Sequence, residues 1–173
     1  MLYEDDEVDG MVQKEVQDLL NRLIQIEHIS TTLYLAMSAY MDRKNYTGMA
    51  SWLRIQSDEE RTHLLKLINY LAGKDGVVEL GALPEQPTDF GTPFQTFQQV
   101  LEHEQNVTNS YRQAYNYIKK IDPQTTVIVQ EFLREQIDEE AQTLTIVERL
   151  KLADDNTSAL LLIDQELAQK QAG

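Results

Sequence analysis

Cysteine is absent from the 173-residue chain, which excludes disulfides and thiolate metal sites outright. Glycine and proline are scarce, seven and four, and they bunch at a few points instead of breaking the chain throughout. Long apolar runs are missing too. The longest, Leu160 to Ile163, falls far short of the roughly 20 residues a membrane span needs. The first residues, Met-Leu-Tyr-Glu-Asp-Asp-Glu, have neither the basic start nor the apolar stretch of a secretory signal, so a cytoplasmic location is expected. Basic residues are outnumbered 15 to 29, for a net charge of −14. Nucleic acid and anionic membrane are therefore disfavoured as partners, being polyanions themselves. The same charge suits plain solubility or the attraction of cations.

What is present points to one helical domain. Hydrophobic residues make up 42%, enough for a packed core at this length. Residues 1–10 read as an acidic N-terminal extension and 11–173 as a single domain. Stretches rich in Leu, Gln, Glu and Ala predict helices over 11–42, 47–72, 93–120, 123–152 and 158–169. Thr92-Pro93 and Asp122-Pro123 each place a capping side chain before a proline at the first helical position, where the missing N–H costs nothing. Ser158 can cap the last helix, and Gly73 suits the end of the second. Short connections make two antiparallel hairpins, and the segment of about 20 residues between them can run the length of a bundle at ~3.3 Å per residue.

The core seam of each long helix follows alternating steps of three and four residues. Helix one gives Leu20, Leu23, Glu27, Ser30, Tyr34, Met37 and Met41. Helix two gives Met49, Leu53, Gln56, Glu60, His63, Leu67 and Tyr70. Helix three gives Phe97, Val100, Glu104, Val107, Tyr111, Ala114 and Ile118. Helix four gives Val129, Phe132, Gln136, Glu139, Thr143, Ile146 and Leu150. Every seam is mostly apolar at its ends and carries a carboxylate near its middle. At 1.5 Å per residue, Glu27 and Glu60 both lie roughly 20 Å from the first hairpin turn, and Glu104 and Glu139 roughly 24 Å from the second. Side-by-side hairpins would bring all four into one layer.

Burying several ionised carboxylates together costs several kcal/mol per ion and adds repulsion, and a pair of divalent cations would remove both penalties. Glu60 and His63, spaced i, i+3, share a helix face and can grip one metal. Carboxylate and imidazole together suit first-row metals such as iron, manganese or zinc. Singly, each residue has a bland reading: a seam Glu reaches solvent, a Tyr is core, and Glu-x-x-His arises by chance. Four polar interruptions in register weigh against that reading. His28 and His103, one residue off the seam, read as partly exposed and non-ligating, and Trp52 as ordinary packing. Glu59, Glu135 and Asp138 flank the seam, as an iron exit site or as a solvated face.

From about Leu19 to Gln169 the chain resembles the ferritin family, specifically bacterial and particularly cyanobacterial non-haem ferritins. The matching stretches are Ile26-Glu27 through Leu33-Tyr34, Asp58-Glu59-Glu60-Arg61-Thr62-His63, Glu102-His103-Glu104-Gln105, Glu135-Gln136-Ile137-Asp138-Glu139 and the tail from Ala159 to Leu167. The resemblance implies an all-α, ferritin-like four-helix bundle with a long crossover and a short fifth C-terminal helix; the ligand scheme is borrowed from such di-iron bundles and not deduced. It implies that Glu27 and His63 bind the first iron, Glu60 bridges, and Glu104 and Glu139 hold the second, with Gln136 in support. Tyr34 resembles the tyrosine beside such centres that can supply an electron. Glu59, Glu135, Asp138 and Glu139 resemble a third iron site. The implied activity is oxidation of Fe(II) by O2 or H2O2 and storage in a homo-oligomeric 24-subunit cage. Gln136-x-x-Glu139 replaces the second Glu-x-x-His of bacterioferritins and rubrerythrins. Arg61 stands where bacterioferritins carry a haem-binding Met, so no haem is expected. The alternatives are a di-iron oxidase or oxygenase on the same fold, and a metal-free bundle.

Overall fold

A computed structural model describes residues 12–169, so the proposed extension over 1–10 lies outside the described residues. Five helices follow in order: α1 (Lys14–Arg43), α2 (Thr47–Gly73), α3 (Pro93–Ile118), α4 (Pro123–Ala153) and α5 (Thr157–Leu167). The fold is all-α, as the sequence indicates. Among the described residues no helix is long and apolar enough to cross a membrane.

Local chemistry sets the helix starts. Thr92 forms a reciprocal capping box with Gln95 ahead of Pro93, and Asp122 accepts from the backbone N–H groups of Gln124 and Thr125 ahead of Pro123. One expectation needs correction. The cap of α5 is Asn156, which accepts from the Ala159 N–H, and not Ser158, because the helix begins one residue earlier, at Thr157. Gly73 ends α2 as expected, with Lys74 as the cap and a left-handed residue following at Asp75 (φ 58°).

The crossover runs along α1 from one end to the other. Gln17, Asn21 and Gln25, one turn apart, bond its backbone at Val77, Glu79, Gly81 and Ala82. Arg43 and Tyr40 then hold Thr88, Asp89 and Gly91 at the far end. Polar side chains of one helix thus satisfy a strand-like segment that has no sheet to join. The chain enters α3 beside the end of α1, so α3 runs antiparallel to α1.

Two apolar clusters fill the bundle. One gathers Leu20, Leu23, Leu67, Tyr111 and Phe132; the other gathers Met37, Leu53, Phe97, Ile146 and Leu150, with Trp52 buried against Phe97. Each fully buried large side chain stabilises the fold by roughly 1.5–3 kcal/mol. Glu27, Glu60, Glu104 and Gln136 are buried yet belong to neither cluster.

The short α5 docks on the start of α2, which has no side-chain cap of its own. Buried Asp164 supplies one, its carboxylate accepting from the Met49 N–H at 2.8 Å. Backbones meet there: a Cβ on Gly48 would lie 1.7 Å from the Asp164 carbonyl oxygen. Gly48→Ala is therefore expected to push α5 off and lower stability by about 1–3 kcal/mol, read as a fall in unfolding midpoint.

Candidate metal centre

The four seams bring their polar residues to the middle of the bundle. Glu27, Glu60 and Glu104 are 1–2% exposed. His63, one turn beyond Glu60 on α2, turns its Nδ1 toward Glu60 Oε2 at 3.4 Å and Glu27 Oε2 at 3.7 Å. Among the described residues, only Glu27, Glu60 and His63 bring three potential ligand atoms within 4.8 Å of one another. The first half of the expected arrangement is assembled.

The remaining candidates are held apart by neutral donors. Tyr34 donates to Glu104 Oε1, and Gln136 Nε2 donates to Glu104 Oε2 at 2.8 Å. Half-buried Glu139 accepts from Gln56 at 2.9 Å. Asp138 is exposed and Glu59 partly so, while Glu135 lies against His63 and Lys66. Among the described residues, Glu59, Glu135, Asp138 and Glu139 do not bring three ligand atoms within 4.8 Å of one another.

Sequence reasoning gave no site role to Tyr111, Gln56 or Ser30. Tyr111 donates to Glu27 Oε1 and stacks on Phe132, 5.0 Å between ring centres at 15°. Ser30 meets His103 Nε2 at 2.7 Å, and His103 packs edge-on to Tyr34. A signal existed, since all three lie on traced seams within two turns of a carboxylate. Their hydroxyls and amide were indistinguishable there from ordinary core polarity. His28 and His103 are both partly buried, and His103 is biased toward its neutral form by burial.

Electrostatics favour a cation here. Burial, reinforced by the charges of Glu27 and Glu104, pushes the Glu60 carboxyl well above its usual range. Burial also works against ionised Glu27, but the adjacent His63 and Glu60 outweigh that and hold it down. For His63 burial opposes the charged form, yet the two carboxylates overcome it and lift its pKa to about 11. Glu104 rises to about 7, burial outweighing its bonds from Tyr34 and Gln136. Glu27 Oε2 and Glu60 Oε1 are buried without a hydrogen-bond partner. Orphaned carboxylate oxygens are rare in folded proteins, and beside an imidazole they fit a metal of the first transition row.

Fold and cluster together define a class: a crossover-connected four-helix bundle with carboxylates and a histidine buried at mid-length. Residues 17–153 match the family model described as a ferritin-like domain. Curated relatives include bacterial non-heme ferritins of Bacteroides fragilis, 32% identical over 92% of this chain and 100% of theirs, and of Staphylococcus aureus (strain MRSA252), 30% identical over 92% and 97%. Among solved structures, an open-pore ferritin from the archaeon Archaeoglobus fulgidus superposes with a TM-score of 0.90 at 35% identity, covering 92% of this chain and 99% of that one. The chain belongs to the ferritin family, and that membership makes it an iron-storage ferritin.

Proposed function

We propose that the chain is a ferroxidase: it takes up Fe(II), oxidises it with O2 or H2O2 between the four helices, and passes ferric product into the cavity of a 24-subunit homo-oligomeric cage. The observation that carries this reading is the pair of buried, unpartnered carboxylate oxygens beside His63. Glu27 and His63 hold the first iron, Glu60 bridges, and Glu104 with Glu139 receives the second once Tyr34, Gln136 and Gln56 yield. Two Fe(II) ions surrender one electron each; O2 takes both with two protons and leaves as H2O2, or H2O2 takes both with two protons to give water. Where only one Fe(II) is bound, Tyr34 can give the second electron to the oxidant and pass its hydroxyl proton to Glu104, to which it is bonded. Glu59, Glu135, Asp138 and Glu139 would converge on an outer third iron on the way to the mineral. No haem takes part, and the protein works in the cytoplasm with no nucleic acid or membrane partner.

An organic-substrate oxidase would need an apolar channel to the carboxylates. The groove of about 430 Å³ between α1 and α3 is lined by Glu15, Leu19, Leu23, Ala114 and Tyr117, not by the site residues. Gel filtration with an iron titration under O2 tests the proposal. Chains of 20.0 kDa should elute near half a megadalton and oxidise two Fe(II) per subunit in a fast phase. A monomer, or oxidation no faster than in buffer, would overturn it.

A further inference from the structure

Glu135 is the one candidate whose contacts differ in kind from those of a waiting ligand. Its Oε2 lies 3.0 Å from His63 Nε2, at ion-pair distance and without a formed hydrogen bond, and is itself buried. Its Oε1 lies 3.6 Å from Lys66 Nζ, and Lys66 in turn meets Glu131 Oε2 at 3.0 Å. The Lys66 ammonium also sits over the Phe132 ring, and that ring meets the His63 imidazole edge-on, 5.3 Å between centres. His63 is thus boxed on its outer side by Phe132 and Glu135, with Lys66 bracing both.

The two ring nitrogens therefore have separate duties. Nδ1 faces Glu27 and Glu60, whereas Nε2 faces Glu135. An imidazole that ligates through one nitrogen carries its proton on the other, and an acceptor there fixes both tautomer and ring angle. We propose that Glu135, braced by Lys66, is a positioning residue for His63: it takes the Nε2 side of the ring so that Nδ1 is presented to the metal between Glu27 and Glu60. The inference rests on the metal-binding reading above. It also sets two uses of Glu135 in competition, because an oxygen accepting from His63 is not available to an outer iron.

Anaerobic titration with Co(II), followed by calorimetry and by its visible ligand-field bands, tests this without turnover. Glu135→Ala should weaken the first equivalent by about 10- to 100-fold and alter its bands. Glu135→Gln, whose amide oxygen can also accept from Nε2–H, should restore most of that affinity. Lys66→Met should weaken the first equivalent less than Glu135→Ala does. Three results overturn the proposal: an unchanged first equivalent and spectrum in Glu135→Ala, a loss confined to later equivalents, or an equal loss in Glu135→Gln, which would mark charge and not acceptance as what matters. Wild-type protein that binds no Co(II) would sink the metal reading itself, a separate outcome. Unfolding midpoints within a degree or two of wild type separate these effects from damage to the fold.

Discussion

Replacing Glu60 by alanine is expected to cut rapid Fe(II) oxidation by roughly a hundredfold or more, because even residues one shell outside a metal cost 10- to 100-fold when changed. Glu60 is 2% exposed, faces both Glu27 and His63, and leaves one oxygen without a partner. Its loss removes a carboxylate that feels the charges of both Glu27 and Glu104. Stability should respond differently. Glu60 is held above its ordinary range by burial and by Glu27, so its ionised form opposes folding when no metal is bound. Removing it relieves that opposition, while the truncated side chain leaves a cavity that costs in the other direction. Glu60→Gln keeps the volume and isolates the electrostatic part, so it should lose oxidation and yet unfold no earlier than wild type without metal. Stopped-flow absorbance and a urea titration check both halves. Unchanged oxidation kinetics in either variant would remove Glu60 from the centre.

Signs for activity and stability are opposed at this position because the polar layer lies between two greasy clusters. Met37, Leu53, Phe97 and Ile146 on one side, and Leu20, Leu67, Tyr111 and Phe132 on the other, supply the burial that keeps the helices together. The carboxylates between them add little to that cohesion. Their cost is offset by His63 at the first pair, and by Tyr34, Gln136 and Gln56 at the others.

Seam periodicity made the bundle legible. Leu20, Leu23, Met37 and Met41 on α1 are all buried, as their spacing requires, and Glu27 lies among them at 1% exposure. Loop length made the crossover legible, since a chain that long between two hairpins has few other uses. Spacing does not reveal where a long side chain ends. Glu104 and Glu139 occupy the positions expected of them, but their carboxylates are drawn aside by Tyr34 and Gln56, whose reach depends on rotamer and neighbouring helix. Glu135 lies one step off the α4 seam, which suggested an outward acid. Only the packing of α4 against α2 places it beside His63. Asn156 and Ser158 are both good caps, and a choice between them two residues apart is finer than composition can make.

Affinity for the first metal ion should rise about tenfold for each unit of pH, or about a hundredfold from pH 6 to pH 8. His63 carries the reason. Glu27 and Glu60 lift its pKa to about 11 against burial, so throughout this range the imidazole is protonated on both nitrogens. A metal at Nδ1 must expel that proton, and each unit of falling pH makes the expulsion ten times harder. Glu60, also raised, steepens the slope further wherever it still holds a proton. For folding without metal the sign is reversed. A histidine raised from 6.5 to about 11 contributes stability that is complete below 6.5 and is lost as pH climbs through 11. Rising pH therefore strengthens metal binding while it weakens the metal-free fold, and the increase in melting temperature on adding Zn(II) should grow from pH 6 to pH 8. Calorimetry in buffers of different ionisation enthalpy counts the protons released. A flat affinity, or no proton release, would mean that His63 keeps its proton and is not the ligand.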